Sequence, residues 1–319
     1  MTTSPLKIAV LMGGPSAEAE VSRASAAEVA AALVQAGHDA RRIELEAGCA
    51  RALLDLEPDV VFPALHGPPG EDGTVQGFLE MLGLPYVGSG VHGSAVAMDK
   101  SLAKACFRRA GLPVAAEIVV DADADLDEAA ERIVGTMGDR VVVKALRQGS
   151  ALGTVRLPNG GDVADALAEA LRYGHGALVE PFVPGREITV GVLDLHGEAA
   201  RATPVIEIRT ADEEWYDYRN RYTPGRSEHV TPAPLAGPVL EDLQRIAVRA
   251  HRVLGLRDLS RADFLVTDTD GIVLLEVNTL PGMTPTSLFP DGAAADGMPF
   301  PALMDALVRS AAARGVQAD

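Results

Sequence analysis

Along the first third of the chain, short apolar runs alternate with longer stretches whose apolar residues recur at helical spacing. Lys7–Met12 reads KIAVLM, a run of strand length that ends at Gly13-Gly14-Pro15-Ser16. Residues 22–35 carry Val29 and Leu33 on one helical face, with Gly37 placed to cap the end. Residues 59–65 (DVVFPAL) repeat the buried-strand pattern and stop at His66-Gly67. Strands alternating with helices predict a parallel sheet with covered faces. Ligands of such sheets bind at the carboxyl ends of strands, where both glycine breaks lie.

The pattern then changes. Residues 98–110 form an amphipathic helix carrying Lys100 and Lys104, and Gly111-Leu112-Pro113-Val114 breaks it. Strand patterns follow at residues 140–144 (RVVVK), 177–183 (ALVEPFV) and 186–192, with a glycine-bearing turn at residues 148–153 (QGSALG). This predicts a small α+β unit with an antiparallel sheet. Residues 211–234 form a long polar segment holding Trp215, Tyr216, Tyr218 and Tyr222, and a loop of that length with its own aromatics reads as an ordered lid. A helix is expected over residues 241–254.

Two further strand patterns, residues 261–267 and Ile272–Asn278, flank Asp268-Thr269-Asp270-Gly271. With those four residues as the loop, Thr267 pairs with Ile272, Asp263 lies opposite Glu276, and Arg261 lies opposite Asn278. Ala262, Phe264 and Val266 then share an apolar face with Val277, Leu275 and Val273. Carboxylates directly across a ladder have Cβ atoms about 5 Å apart and repel unless something neutralises them. A solvated face on a surface hairpin is one reading of this alternation. Asn278, on the same face two residues after Glu276, favours the other: oxygen ligands for a magnesium ion bound with nucleotide phosphates.

The formal net charge of −17 argues against nucleic-acid or anionic-membrane partners, so an anionic ligand has to meet a local cluster of Lys and Arg. Lys144, at the end of a valine strand and just before Gly149-Ser150-Ala151-Leu152-Gly153, is such a candidate. The turn is not a Walker A motif, and the Gly13-Gly14 loop lacks the full G-x-G-x-x-G of dinucleotide sites. His66 at a strand end is, alone, a weak candidate, since a lone histidine is usually structural. The two cysteines suggest no disulfide framework and no zinc spacing. No run approaches the roughly 18 apolar residues of a membrane span, and the first residues show no secretory signal, so a cytoplasmic location is expected.

Together these segments resemble the D-alanine–D-alanine ligases of the ATP-grasp superfamily over essentially the whole length. The resemblance rests on Gly13-Gly14-Pro15-Ser16-Ala17-Glu18 with Glu20-Val21-Ser22, on Leu65-His66-Gly67, and on Gly70-Glu71-Asp72-Gly73. Gly83-Leu84-Pro85-Tyr86, Gly88-Ser89-Gly90, Met98-Asp99-Lys100, Tyr216-Asp217-Tyr218 and Tyr222 add to it. Arg261-Ala262-Asp263 and the run from Glu276 to Thr284 (EVNTLPGMT) complete it. The first and last of these motifs, found together in this order, are highly specific.

The resemblance implies a three-domain α/β architecture. An N-terminal parallel-sheet, substrate-binding domain would span residues 1–97 and a small central α+β domain residues 98–184. A C-terminal α+β domain, residues 185–319, would hold the lid and the metal site. It implies ATP and two magnesium or manganese ions as cofactors, and ligation of two D-alanines through a D-alanyl phosphate for peptidoglycan synthesis. Glu18 would bind the first D-alanine's ammonium, with His66 near its carboxylate. Lys100, Lys144 and Arg221 would meet ATP phosphates, Glu180 and Val183 the adenine edge, and Glu187 the ribose. Asp263, Glu276 and Asn278 would hold metal, Arg261 would stabilise developing charge, and Gly282 would serve the oxyanion. Ser287 and Leu288 would take the second D-alanine's carboxylate. Glu18, Ser150 and Tyr222 would form a hydrogen-bonded set. A homodimer is expected from the resemblance alone.

Some positions depart from the family pattern. Arg221 replaces a lid lysine, Ala145-Leu146 replaces Pro-Ser, Ala151 replaces a serine, and Gly67-Pro68-Pro69-Gly70 replaces Gly-Arg-Gly-Gly. Rival readings are a sister ligase making another dipeptide or D-alanyl-D-lactate, a nucleotide-binding regulator without catalysis, and, more distantly, a dehydrogenase. Tyr222 speaks against the ester, and the full Arg261, Asp263, Glu276 and Asn278 set against the regulator.

Overall fold

The computed structural model describes residues 4–210, 215, 223, 225–284 and 287–316. Its first unit alternates β1 (Lys7–Met12), α1 (Ala19–Gln35), β2 (Asp39–Glu44), α2 (Cys49–Leu56), β3 (Val60–Pro63), α3 (Thr74–Met81) and α4 (Val91–Met98). The strands form a parallel sheet in the order β2-β1-β3. Successive side chains of a strand point to opposite faces, and β1 is apolar on both. Ile8 and Val10 pack with Val29 and Leu33 of α1, while Ala9 and Leu11 pack with Leu53 of α2 and Leu79 of α3.

The expected helix over residues 98–110 is broken at its start. Helix α4 ends at Met98, and α5 (Lys100–Arg109) begins anew after Asp99, whose Oδ1 accepts from the Ser101 and Leu102 N–H groups at 3.1 Å. That cap makes Lys100 the first helical residue. The middle unit continues with β4 (Ile118–Val120), α6 (Leu126–Met137), β5 (Val141–Ala145), β6 (Thr154–Arg156), α7 (Val163–Leu171) and β7 (Ala177–Pro181). Its sheet is antiparallel, in the order β4-β7-β5-β6. Alternation along β5 buries Val141 and Val143 against the helices and turns Val142 and Lys144 to the other face.

The last unit contains β8 (Arg186–Asp194), β9 (Arg201–Ala202), β10 (Ile206–Thr210), β11 (Ser227–Val230), α8 (Gly237–Val253), β12 (Asp258–Val266), β13 (Ile272–Asn278), α9 (Leu288–Ala295) and α10 (Phe300–Arg314). Its sheet runs β11-β10-β8-β12-β13, with β9 beside β8. One face buries Ile188, Val190, Ala262 and Phe264 against α8 and Phe107 of α5.

Two departures from the expected hairpin cancel. Thr267 N–H donates to the Gly271 carbonyl at 2.9 Å, and Asp270 takes a left-handed φ of 59°, so the loop is one residue shorter than expected. Phe264 therefore pairs with Leu274, not with Leu275. A register shift between Asp263 and Phe264 then absorbs one extra residue on β13. Beyond it Asp263 faces Glu276 and Arg261 faces Asn278, as the sequence predicts. The bulge also changes the faces: Leu275 and Val273, expected on the buried side, line a cleft with Leu265.

The chain's last helix returns to the first sheet. Leu303, Leu307 and Val308 of α10 join Ile8, Val10 and Phe62 in one core. Asp258, fully buried at the start of β12, accepts from Arg314 at 2.5 and 2.9 Å, from Ser310 at 3.0 Å and from Gly88 N–H at 2.8 Å. Arg314 also donates to the Tyr86 carbonyl at 2.8 Å. This cluster ties three distant parts of the chain together. Arg314→Ala would leave a buried carboxylate without its cation, a change that costs about 3–5 kcal/mol. Urea unfolding is expected to show that loss, and a loss under about 1 kcal/mol would mean that water or a neighbour replaces the guanidinium.

Candidate active site

The sheets of the middle and last units face each other across a cleft. Val142 and Lys144 of β5, Glu180 of β7, and the following Phe182 and Val183 line one side. Asp263, Leu265, Val273, Leu275 and Glu276 of the hairpin line the other, with Glu187 and Ile208 beside them. The walls combine apolar side chains with charged ones. A flat apolar ring and a polyanionic tail suit such a site.

A second pocket opens toward the first unit. Glu18, His66, Glu71, Gly149, Ser150, Arg261, Asn278, Thr279 and Gly282 line it. Lys100, Gln148 and Glu276 line both pockets, so the two spaces meet at these side chains. Lys100 Nζ donates to the Gln148 carbonyl at 2.5 Å and lies 3.8 Å from Glu276 Oε2.

Buried charges here are held by partners. Glu180, only 3% exposed, accepts from Lys104 on one oxygen and from Lys144 on the other, the latter at 2.6 Å. Burial would raise the Glu180 pKa, yet Lys144 and Lys104 hold it below the ordinary carboxylate value. Burial also acts against the Lys144 ammonium, but Glu180 prevails and lifts its pKa. Burial lowers the Lys100 pKa, and Glu276 offsets only part of that.

Arg261 grips Asp263 with two hydrogen bonds, 2.9 and 2.8 Å, and Thr189 donates to the same carboxylate at 2.6 Å. Asn278 Oδ1 accepts from Leu280 N–H at 2.9 Å. Asp263, Glu276 and Asn278 offer only oxygen donors, the chemistry a hard dication prefers. The like-charged pair across the ladder fits such an ion.

In the second pocket Ser150 donates to Glu18. Ser150 and Ala151 both adopt left-handed φ values, 49° and 59°, so the turn's unusual backbone falls on these two residues as well as on glycine. His66 Nε2 lies 3.0 Å from Ser25 Oγ, and Met283 N–H donates to that same oxygen at 3.4 Å. Burial, with Arg261 nearby, lowers the His66 pKa from 6.5 to about 4. The ring is neutral at pH 7. Ser25 Oγ and His66 Nε2 share one hydrogen bond whose direction follows the ring tautomer, since the hydroxyl can donate one bond and accept two. A Cβ at Gly282 would sit 2.8 Å from Ser287 Oγ, so that hydroxyl would have to turn away.

Of the residues expected at the site, Glu18, His66, Ser150, Arg261, Asn278 and Gly282 meet in the second pocket, and Lys144, Glu180, Val183, Glu187 and Asp263 in the first. Ser287 lies beside Gly282 at the N-terminus of α9 without lining either pocket. The Leu288 side chain is buried with Ile206 and Ile208, so only its backbone could meet a ligand. Arg221 and Tyr222 lie outside the described residues, as do Tyr216 and Tyr218.

Sequence reasoning assigned no role to Glu71, Lys104, Gln148 or Arg156. Glu71 stands in a quoted motif, but nothing in its spacing shows that it folds beside Glu18. Lys104 follows Lys100 by one helical turn and looks like a surface lysine, yet it is 1% exposed.

Family descriptions match two stretches: "D-ala D-ala ligase C-terminus" covers residues 106–309 and "D-ala D-ala ligase N-terminus" residues 46–89. A D-alanine--D-alanine ligase of Acidiphilium cryptum is 48% identical over 97% of this chain and 99% of its own length. One from Halalkalibacterium halodurans is 44% identical over 95% and 98%. The solved structure of the D-alanine-D-alanine ligase from Coxiella burnetii superimposes with a TM-score of 0.82 at 29% identity, covering 97% of this chain and 94% of that one.

Glu71 gives the pocket a testable signature. Burial and the neighbouring Glu18 raise its pKa from 4.5 to about 8, so the folded protein keeps a proton there that the unfolded chain loses above about 4.5. Its contribution to stability is complete below the lower value and is lost as pH rises through the higher one. Glu71→Gln has no such titration. Between pH 5 and 9 its stability is expected to gain on the wild type by up to about 1.4 kcal/mol per pH unit. Parallel urea-unfolding curves across that range would show that Glu71 ionises as an ordinary carboxylate.

Proposed function

The chain belongs to the D-alanine–D-alanine ligase family, and from that premise we propose that its two joined pockets couple ATP to the ligation of two D-alanines. The enzyme forms D-alanyl-D-alanine for peptidoglycan precursors, and ATP is consumed. The observation that carries the assignment of steps to pockets is the pair Lys100 and Glu276, which belongs to both spaces. A phosphoryl group in the first pocket and a carboxylate in the second would meet there.

The nucleotide is assigned to the first pocket. Its base would lie among Phe182, Val183, Leu265 and Leu275, with Glu180 at the adenine edge and Glu187 at the ribose. Lys144 and Lys100 would face the phosphates. Two magnesium or manganese ions at Asp263, Glu276 and Asn278 would neutralise phosphate charge. Arg261, bound to Asp263, would be held where charge develops on the transferred group.

The first D-alanine is assigned to the second pocket, its ammonium at Glu18 and its carboxylate toward Arg261 and His66. A carboxylate oxygen attacks the γ-phosphorus, ADP departs, and an acyl phosphate remains. The second D-alanine, its carboxylate held by Ser287 and the backbone N–H at Leu288, attacks the acyl carbon through its amine. Gly282 N–H would steady the resulting oxyanion. A proton leaves the nitrogen, phosphate leaves the carbon, and the peptide bond is complete.

Boundaries near residues 97 and 184 belong to the same reading, supported by sheets that share no strand across them. So do a homodimeric state and a cytoplasmic setting. In the cytoplasm the free thiols of Cys49 and Cys106 stay reduced. No described helix is long and apolar enough to cross a membrane.

Glu276→Gln keeps the hairpin's shape and removes one charge. Phosphate release from ATP with D-alanine should fall at least about a hundredfold, since metal and oxyanion interactions are each worth several kcal/mol. The melting temperature should hold, because the hairpin's apolar face is untouched. Near wild-type turnover at ordinary magnesium would remove the metal assignment. L-alanine and D-lactate in parallel assays report which acceptors the second pocket takes.

A further inference from the structure

We propose that Arg156 is a nucleotide-positioning residue, a guanidinium held over two aromatic rings that fixes the base end of the ATP pocket. The inference rests on the assignment of ATP to that pocket. Arg156 ends β6 opposite Val142 of β5, and Val142 in turn faces Glu180 of β7. The three residues form one row across the sheet, and all line the cleft.

The Arg156 side chain touches several parts of the pocket at once. Its guanidinium carbon lies 5.2 Å from the Phe182 ring centre and 5.3 Å from that of Trp215. Phe182 follows β7, whereas Trp215 lies on the segment between β10 and β11. Arg156 Nη1 also stands 3.7 Å from Glu187 Oε1, the group assigned to the ribose. A planar cation suits this place better than a lysine, because its faces stack on rings while its edge meets a carboxylate. Arg156 acts through these neighbours: it holds Trp215 against the base end and keeps Glu187 turned toward the sugar.

A purely structural role predicts a different pattern of effects. Arg156 is about a third exposed, with 29% of its side chain accessible, and no core depends on it. Its loss should affect nucleotide binding, not folding, and should spare the D-alanine pocket, to which it does not belong.

Trp215 is the only tryptophan in the chain, so intrinsic fluorescence reads the stack directly. The experiment compares wild type, Arg156→Met and Arg156→Lys in ADP titrations and ATP-dependent phosphate release, each with a melting curve. Arg156→Met is expected to shift the emission of the ligand-free protein. It should also weaken ADP binding and raise the KM for ATP about tenfold, the scale of one sheltered cation–π contact. The kcat and the KM for D-alanine should stay within about twofold, and Arg156→Lys should recover part of the affinity. Should Arg156→Met fail to fold, Arg156→Gln carries the same comparison. Wild-type ADP affinity in a folded variant without the guanidinium overturns the proposal. A fall in kcat with no change in KM for ATP does the same. Failure of the wild type itself to bind ADP overturns the pocket assignment and the inference together.

Discussion

A carboxylate taken out of water must find cations or keep its proton, and Glu180 shows how much of this fold follows from the first course. One of its oxygens meets Lys104 of α5 and the other Lys144 of β5. Glu180 itself stands on β7, so a single side chain fixes a helix and two strands at the edge of the cleft. Losing either lysine would leave one carboxylate oxygen without its partner in a low-dielectric site, while the other lysine still balances the charge. The same requirement recurs at Asp258 with Arg314, and at Asp263 with Arg261.

Much of this was legible beforehand because strands have a strict period of two. The pairing of Asp263 with Glu276 follows from counting back from a turn, and it holds although the turn is a residue shorter than its sequence suggests. A bulge restores the count, and counting cannot foresee a bulge. The cost of that blindness falls on Val273 and Leu275, whose side chains line the cleft between the two sheets and not the core. Lys100 was legible as a candidate through its motif. Its position as the first residue of a helix depends on the Asp99 cap, which divides what periodicity reads as one helix.

What stayed hidden is tertiary. No local pattern distinguishes the buried Lys104 from an exposed lysine, since both occupy an amphipathic helix at ordinary spacing. Glu71 and Glu18 are far apart in sequence, and their mutual repulsion exists only once β1 and β3 bring the two loops together. His66 is similar: a histidine at a strand end has no lowered pKa until packing buries it near Arg261. These are the features that tune protonation, and they come from packing more than from motif.

The two pockets share a wall, and that wall is charged. Lys100 and Glu276 lie between them, 3.8 Å apart. Any ligand that adds charge on one side changes the field felt on the other, so the free energies of the two binding events do not simply add. By thermodynamic linkage the effect is mutual: whatever factor the nucleotide imposes on amino-acid affinity, the amino acid imposes on the nucleotide. An apparent affinity for either ligand is thus a property of the pair of occupancies, and a molecule bridging Lys100 and Glu276 would report on both equilibria at once.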